Sequence, residues 1–240
     1  MLTNLSVIIP AKNEEENLKK LIPALFKRYT NIILEIIVVN DFSTDHTKEV
    51  LTNLRKQYPK LKIIHQNSQS GVGSAIITGI RNLSPKSRYV LFMDCDFLVN
   101  VPDIAKMLEK IEDYDGVVGS RFLKKNSLKN YPLPKRLVNR LYHLLARVLL
   151  GVKQKDLTNN FKLYKKELVD RLYPMLSSHD FAINAELGFY PVLLGYRIGE
   201  IPVVWQERTQ YMGLSKFKIL RVGPSYLKVF LKLLFLKYTR

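Results

Sequence analysis

The chain has 240 residues, 47% of them apolar, which is enough for one large domain or two small ones with a real core. It contains a single cysteine, Cys95, so an intrachain disulfide is excluded, and no window of about 18 uncharged apolar residues predicts a transmembrane helix. The formal net charge of +17 indicates an anionic partner: nucleic acid, anionic lipid headgroups or a phosphorylated substrate.

Strand and helix patterns alternate through the first half of the chain. β-branched apolar runs predict strands at 5–11, 34–41, 61–66, 89–96 and 114–122. Segments with helical spacing lie between them at 13–29, 42–58, 70–83 and 101–112, the first with Asn13 as its expected N-cap. This alternation predicts an α/β fold with a mostly parallel sheet flanked by helices, in which ligands bind beyond the carboxyl ends of the strands.

The second half is less regular and more basic. It predicts a basic amphipathic helix at 132–151 ended by Gly151, a strand or turn and a short helix at 159–176, an apolar helix at 181–196 and a strand at 197–208. Two acid-free blocks, 121–155 and 211–240, carry the whole excess of positive charge. The second block predicts a basic amphipathic helix that lies in the headgroup plane of a membrane. Packing of this helix on the domain, or against another subunit, is the alternative.

Two carboxylates, Asp94 and Asp96, follow the apolar run 90–93. In an extended chain, residues i and i+2 share a face, so both side chains can point to one place, where a cation would offset their repulsion. Oxygen-only ligands suit Mg²⁺ or Mn²⁺, which complete their coordination with water and substrate phosphates. The pair therefore predicts a metal–diphosphate site, against the alternative of two unrelated acids on a solvated turn.

Five motifs in this order resemble those of family 2 glycosyltransferases of the GT-A fold: VIIPAKNEEENL, EIIVVNDFSTDHT, GVGSAIITGI, VLFMDCD and VVGSRF. The later segments KDLTNNFKLYKKEL and IPVVWQERTQYMGLSKFKI are similar to the branch that contains dolichyl-phosphate mannose synthases and related polyprenyl-phosphate glycosyltransferases. The resemblance implies inverting transfer of a hexose from GDP-mannose or UDP-glucose to a polyprenyl or dolichyl phosphate. It also implies a glycosyltransferase domain at 1–215, with a nucleotide-sugar half at 1–120 and an acceptor half at 121–215, before a membrane-associating segment at 216–240.

The resemblance assigns roles to matching positions, with Asp94, Asp96, Arg121 and Arg208 as the expected catalytic residues. The metal is expected on Asp94 and Asp96, and the nucleotide sugar on Pro10, Ala11, Asn13, Glu14, Asp41, Asp94 and Lys216. The acceptor phosphate is expected at Arg121, Arg140 and Ser215. The chain departs from the usual family pattern at 158–162, which reads TNNFK, and at Asn184.

The residues themselves also bear on the acceptor. A lipid phosphate needs no general base, because its second pKa is about 6, whereas a hydroxyl acceptor does need one. Transfer to a sugar hydroxyl of a glycan or glycolipid, with Asp180 or Glu186 as base, is one alternative. A nucleic-acid-binding α/β protein is another, although the chain carries no nucleic-acid-binding motif.

The expected partners follow from these predictions. They are a nucleotide-diphosphate sugar, a polyprenyl phosphate and the cytoplasmic face of a membrane, and no nucleic acid is expected. A separate membrane partner or a second copy of the chain is left open.

Overall fold

The structure is a computed structural model that describes residues 3–67, 69–125, 127–129, 131–206 and 219–239. The strands are β1 (Leu5–Ala11), β2 (Ile33–Asn40), β3 (Leu61–His65), β4 (Tyr89–Met93), β5 (Gly116–Ser120), β6 (Leu128–Lys129), β7 (Phe161–Lys165), β8 (Ile198–Pro202) and β9 (Trp205–Gln206). The helices are α1 (Glu15–Tyr29), α2 (Thr47–Gln57), α3 (Val72–Arg81), α4 (Asp103–Lys110), α5 (Leu133–Leu150), α6 (Lys166–Leu172), α7 (Ile183–Leu193) and α8 (Ile219–Tyr238). Short 3₁₀ turns cover Phe97–Asn100 and Tyr173–Met175.

Seven strands form one sheet in the order β3-β2-β1-β4-β7-β5-β8. Only β7 runs antiparallel to its neighbours β4 and β5; the other pairs in this sheet are parallel. The predicted α/β fold with a mostly parallel sheet is therefore confirmed. The chain leaves β1 towards β2 on one side and returns through β4 on the other side, so a crevice opens beyond the carboxyl ends of β1 and β4.

Helices cover both faces of this sheet. Along β1, Val7 and Ile9 belong to a core shared with α1, α2 and α4, whereas Ile8 between them belongs to a second core shared with α3 and with α5 to α8. Strands buried on both faces carry mostly apolar residues, which explains the Val and Ile runs of β1 and β2.

The C-terminal helix α8 is part of the second core. It packs against α7 and α5 and buries Val229, Phe230 and Leu233. The Tyr238 hydroxyl donates to the Leu149 carbonyl of α5 over 2.9 Å. One face of the predicted tail helix thus packs on the domain, as the alternative interpretation expected. Within the described part of the chain, no helix has both the length and the apolarity that crossing a bilayer requires.

Candidate active site

A cavity of about 700 Å³ lies beyond the carboxyl ends of β1 and β4. Next to β1 and β2 its wall includes Pro10, Ala11, Lys12, Glu14 and Asp41. Next to β5 and β7 its wall includes Arg121, Thr158 and Asn160, with side chains from α5, α7 and α8. Its size is within the range that holds a small-molecule substrate.

Asp94 and Asp96 both line this cavity and are half-buried. Cys95 between them points into the core, with its thiol 3.4 Å from the Pro10 carbonyl. Asp94 directly follows β4, and Asp96, with φ −90° and ψ 5°, lies in a turn, so a turn and not the expected extended chain brings both residues to the cavity. Asn160 fixes the first of them, because its Nδ2 donates to Asp94 Oδ1 over 2.6 Å. The antiparallel pairing of β4 with β7 makes these two residues neighbours.

The carboxylate oxygens of Asp94 and Asp96 are suitable ligands for the expected divalent cation. Among the described residues, no group of three or more His, Cys, Asp or Glu side chains could enclose a metal. Two carboxylates that face one cavity supply a hard, oxygen-only site, which leaves coordination positions for water and phosphate oxygens. Asp94 and Asp96 would therefore hold Mg²⁺ or Mn²⁺ as a site shared with a phosphorylated ligand.

Asp41 is anchored at the β1–β2 side of the cavity. Its Oδ2 accepts from Ser70 Oγ and from the Gly71 backbone N–H, both over 3.0 Å, and lies 3.5 Å from Lys12 Nζ. The other oxygen, Oδ1, is buried and has no partner among the described residues. A buried acceptor of this kind suits an N–H or O–H donor of a ligand.

Gly71 is constrained where α3 begins. Its φ is +135°, and a Cβ there would lie 2.2 Å from the His179 carbonyl oxygen. That oxygen also accepts from the backbone N–H of Gly73 and of Ser74. The start of α3 is therefore held directly against the loop that precedes α7, which leaves no room for a side chain at position 71.

The prediction that Asn13 is the N-cap of α1 is wrong. Its φ is +51°, and Glu14 rather than Asn13 occupies the N-cap of α1. The Asn13 amide bonds Thr44, with Oδ1 accepting from the backbone N–H over 2.7 Å, and the backbone of Asn13 donates to Ser43 Oγ. Asn13 is not among the cavity residues, unlike the neighbouring Pro10, Ala11 and Glu14. It holds the loop after β2 in place.

Arg121 lines the cavity but is committed to a buried ion pair. Its Nε and Nη2 contact the two oxygens of Asp156 at 2.6 and 2.9 Å, and its backbone N–H donates to the same carboxylate. Arg121 is 9% exposed and Asp156 is fully buried. Burial alone would raise the pKa of Asp156, but the guanidinium outweighs it and lowers that pKa to about 2.

Arg140, the second predicted acceptor residue, lies outside the cavity wall. Its guanidinium stacks 3.5 Å from the centroid of the Phe122 ring, and Nη2 donates to the Lys155 carbonyl. The wall of α5 is made instead by Lys135, with Val138, Asn139 and Tyr142, and α8 adds Arg221. The spacing of positions 135, 138, 139 and 142 is that of one helix face, which is the signal that points to Lys135.

The TNNFK segment consists of a bend and the first two residues of β7, and most of it is buried. Asn159 Nδ2 donates to the Gly119 carbonyl over 3.0 Å, and its own carbonyl accepts from Lys162 Nζ. Burial lowers the pKa of Lys162 to about 7. Burial also lowers the pKa of His143 to about 4, so its neutral Nε2 accepts the backbone N–H of Leu157. These contacts hold Asn160 against Asp94.

The two candidate bases, Glu186 and Asp180, differ in their burial and in their access to the cavity. Glu186 is fully buried, and its carboxylate accepts from Ser177 N, Ser177 Oγ and Ser178 N at 2.9 to 3.0 Å, so it fixes the loop before α7. Asp180 lines the cavity and accepts from the Ala182 backbone. The predicted residues Arg208, Ser215 and Lys216 lie outside the described residues.

Comparison with known proteins agrees with this geometry. The curated relatives include an undecaprenyl-phosphate mannosyltransferase of Micrococcus luteus, 26% identical over 92% of this chain and 90% of the relative. They also include a polyprenol monophosphomannose synthase of Mycolicibacterium smegmatis, 25% identical over 93% of this chain and 84% of the relative.

Among solved structures, glucosyl-3-phosphoglycerate synthase from Mycobacterium tuberculosis with Mn²⁺, UDP-glucose and phosphoglyceric acid matches with a TM-score of 0.70. It is 19% identical, and the match covers 98% of this chain and 80% of that one, which shows a shared GT-A fold. The family model described as glycosyl transferase family 2 matches residues 6–173. This match covers well over half of the chain, and the protein therefore belongs to glycosyl transferase family 2.

Proposed function

We propose that this enzyme transfers a hexose, with inversion, from a nucleotide-diphosphate sugar to a polyprenyl phosphate. The observation that carries the proposal is the uneven charge of the cavity wall. Asp94, Asp96 and Asp41, the last beside Lys12, line its β1 and β4 side, whereas Lys135 and Arg221 line the other side, which also carries Asp180. The names of the two relatives, which act on undecaprenyl phosphate and polyprenol, support the same acceptor class.

Different residues of the cavity would bind the donor and the acceptor. Asp41, with its unpartnered Oδ1, would bind the base or ribose, and Asp94 and Asp96 would hold Mg²⁺ or Mn²⁺. When bound, that cation would neutralise charge on the departing diphosphate. Lys135 and Arg221 would bind the acceptor dianion and orient it, and such orientation is a large part of catalysis in group transfer.

Transfer to a hydroxyl is the second candidate, because Asp180 lines the cavity. An alcohol acceptor needs a base to remove its proton, and a phosphate dianion does not. Position 184, which also lines the cavity, carries an asparagine whose amide cannot act as a base. The experiment below separates the two acceptor classes.

The wild-type enzyme is expected to transfer sugar to undecaprenyl phosphate at least about 10²-fold faster than to undecaprenol, because no proton must be removed from the phosphate. The measurement is radiolabelled sugar incorporation with Mn²⁺ and, in turn, GDP-mannose, UDP-glucose and UDP-N-acetylglucosamine. Asp180→Asn is the control and should change the rate with the phosphate little. Comparable rates with the alcohol, lost in Asp180→Asn, would assign the enzyme to hydroxyl acceptors.

Peripheral attachment to a membrane belongs to the same proposal. Two helices expose an apolar surface, here called the lipid face, which consists of Leu133, Leu137, Val138, Leu141, Leu144, Leu145, Val148 and Leu149 of α5 and Leu220, Leu227, Leu231, Phe235 and Tyr238 of α8. Exposed cations flank it: Arg136 and Arg147 on α5, and Lys228 and Lys237 on α8. Apolar patches of this size are rare on monomeric proteins, and the flanking charges suit anionic lipid headgroups.

Leu137→Glu combined with Leu144→Glu should weaken binding to vesicles of phosphatidylglycerol and phosphatidylcholine by about tenfold or more, because two charges replace inserted apolar side chains. Sedimentation at low salt measures the bound fraction. Val99→Glu is the matched control, since Val99 is similarly exposed but lies on the turn after β4. Unchanged sedimentation of the double variant would remove membrane binding from the proposal. Truncation at Val222 is a poorer test, because it also removes Val229, Phe230 and Leu233 from the core.

A further inference from the structure

We propose that the hydrocarbon chain of the acceptor leaves the cavity between the N-terminal parts of α5 and α8, past Val138 and Gly223, and continues onto the lipid face. The inference rests on the proposed function and adds a subsite for an isoprenoid chain. Val138 and Gly223 belong to both surfaces involved: each lines the cavity, and each is exposed on the outside of its helix.

Val138 marks the boundary on α5. It is 48% exposed and belongs to the lipid face, yet it also contributes to the cavity wall beside Lys135 and Tyr142. At about 100° per residue, it falls between the strip of α5 that faces the cavity and the strip that contains Leu141 and Leu145. Val138 is thus an apolar residue at the edge where the cavity meets the outer surface.

Gly223 marks the corresponding boundary on α8. No described residue lies within 4 Å of the Cβ that a side chain at this position would add. Gly79 in α3 is different, because its Cβ would lie 2.5 Å from Ile8 Cγ2, so close packing explains that glycine. A glycine inside a helix costs about 1 kcal/mol relative to alanine. Packing against the described residues does not explain Gly223, which lines the cavity and directly precedes Pro224. A side chain at position 223 would therefore enter open space at the cavity wall.

The contacts between α5 and α8 limit where such a passage can run. The rings of Tyr142 and Tyr226 pack edge to face with centroids 5.7 Å apart, and Tyr142 also packs against Phe230 at 5.3 Å. Further along, Tyr238 is bonded to Leu149. The two helices therefore contact each other from Tyr142 and Tyr226 onwards, so the proposed passage would lie on the N-terminal side of these tyrosines.

The order of side chains along this route matches one kind of molecule. Arg121, Lys135 and Arg221 line the cavity, Val138 and Gly223 line it and are exposed on the outside, and the exposed leucines of both helices lie on the outer surface. An amphiphile with a phosphate head and an apolar tail meets complementary chemistry at each point, since charge pairs with charge and hydrocarbon leaves water. A glycan acceptor would have no use for the apolar exit.

The test fills the gap at Gly223. Gly223→Leu should lower kcat/KM for undecaprenyl phosphate by about tenfold or more, since a blocked path displaces several methylene groups from apolar contacts. With geranyl phosphate, whose short chain need not pass the gap, kcat/KM should stay within about twofold of wild type. Gly223→Ala is the matched control, because it raises helix propensity but adds only one methyl group. Val138→Trp, which narrows the other side, should show the same dependence on chain length.

Each outcome decides a separate point. If Gly223→Leu and Val138→Trp lower the rates with both phosphates equally while their melting temperatures stay near wild type, the passage is elsewhere. If either variant instead weakens binding of GDP or UDP with Mn²⁺, measured by calorimetry, its position belongs to the nucleotide site and the passage is rejected. If wild-type enzyme uses neither phosphate, the proposed function fails, and the passage fails with it.

Discussion

Asp96→Ala is expected to lower turnover by about 10²–10³-fold or more without loss of folded stability. Asp96 is half-buried at the cavity wall, so its removal leaves the two cores intact. Turnover with saturating Mg²⁺ or Mn²⁺ gives the first measurement. The second is the melting temperature, which Mn²⁺ with a nucleoside diphosphate should raise for wild type and not for the variant.

Asp113→Ala serves as the control, because Asp113 is an exposed acid in the turn after α4. Its turnover and its response to Mn²⁺ should equal those of wild type. Near wild-type turnover in Asp96→Ala would show that the acid pair does not hold the metal. A fall in melting temperature without ligand would instead give Asp96 a structural role.

Asp156→Ala is expected to destabilise the protein by about 3–5 kcal/mol, because it leaves the Arg121 guanidinium buried without its partner. The free energy of unfolding in urea measures this effect. Asp170→Ala is the control, since Asp170 pairs with Lys166 at an exposed i, i+4 position of α6. Removal of that pair should cost less than about 1 kcal/mol. Equal effects of the two substitutions would mean that the buried pair contributes no more than a surface pair.

The same ion pair predicts a dependence of stability on pH. The pKa of Asp156 is lowered to about 2 in the folded protein, from an ordinary value of 3.8. Its contribution is therefore fully present above the ordinary value and is lost as the pH falls towards 2.

The alternation of strands and helices was predictable because it depends on local apolar periodicity. The acid pair at the end of β4 was also visible in the local sequence, but the extended conformation expected for it was not, since Asp96 lies in a turn. The position of the site at one edge of the sheet then follows from the rule that parallel strands direct their carboxyl ends to one side. These features need no knowledge of long-range contacts.

Other features depend on contacts between distant segments. Asn13 was expected to cap α1, but Ser43 and Thr44, thirty residues away, hold it in a left-handed conformation. The partner of Arg121 lies thirty-five residues further along the chain. Arg140 and Lys135 are both cations of α5, and only the packing of that helix decides which of them lines the cavity.

The one antiparallel strand has a consequence for engineering. Because β7 runs against β4 and β5, it starts at the edge of the sheet where β5 ends. The forty residues between Ser120 and Phe161 therefore leave the sheet and return to it at the same edge, carrying Arg121, α5 and the turn that holds Asn160. On the proposed function, exchange of this segment together with α8 is expected to change the acceptor, while β1, β2 and β4 with their side of the cavity stay in place.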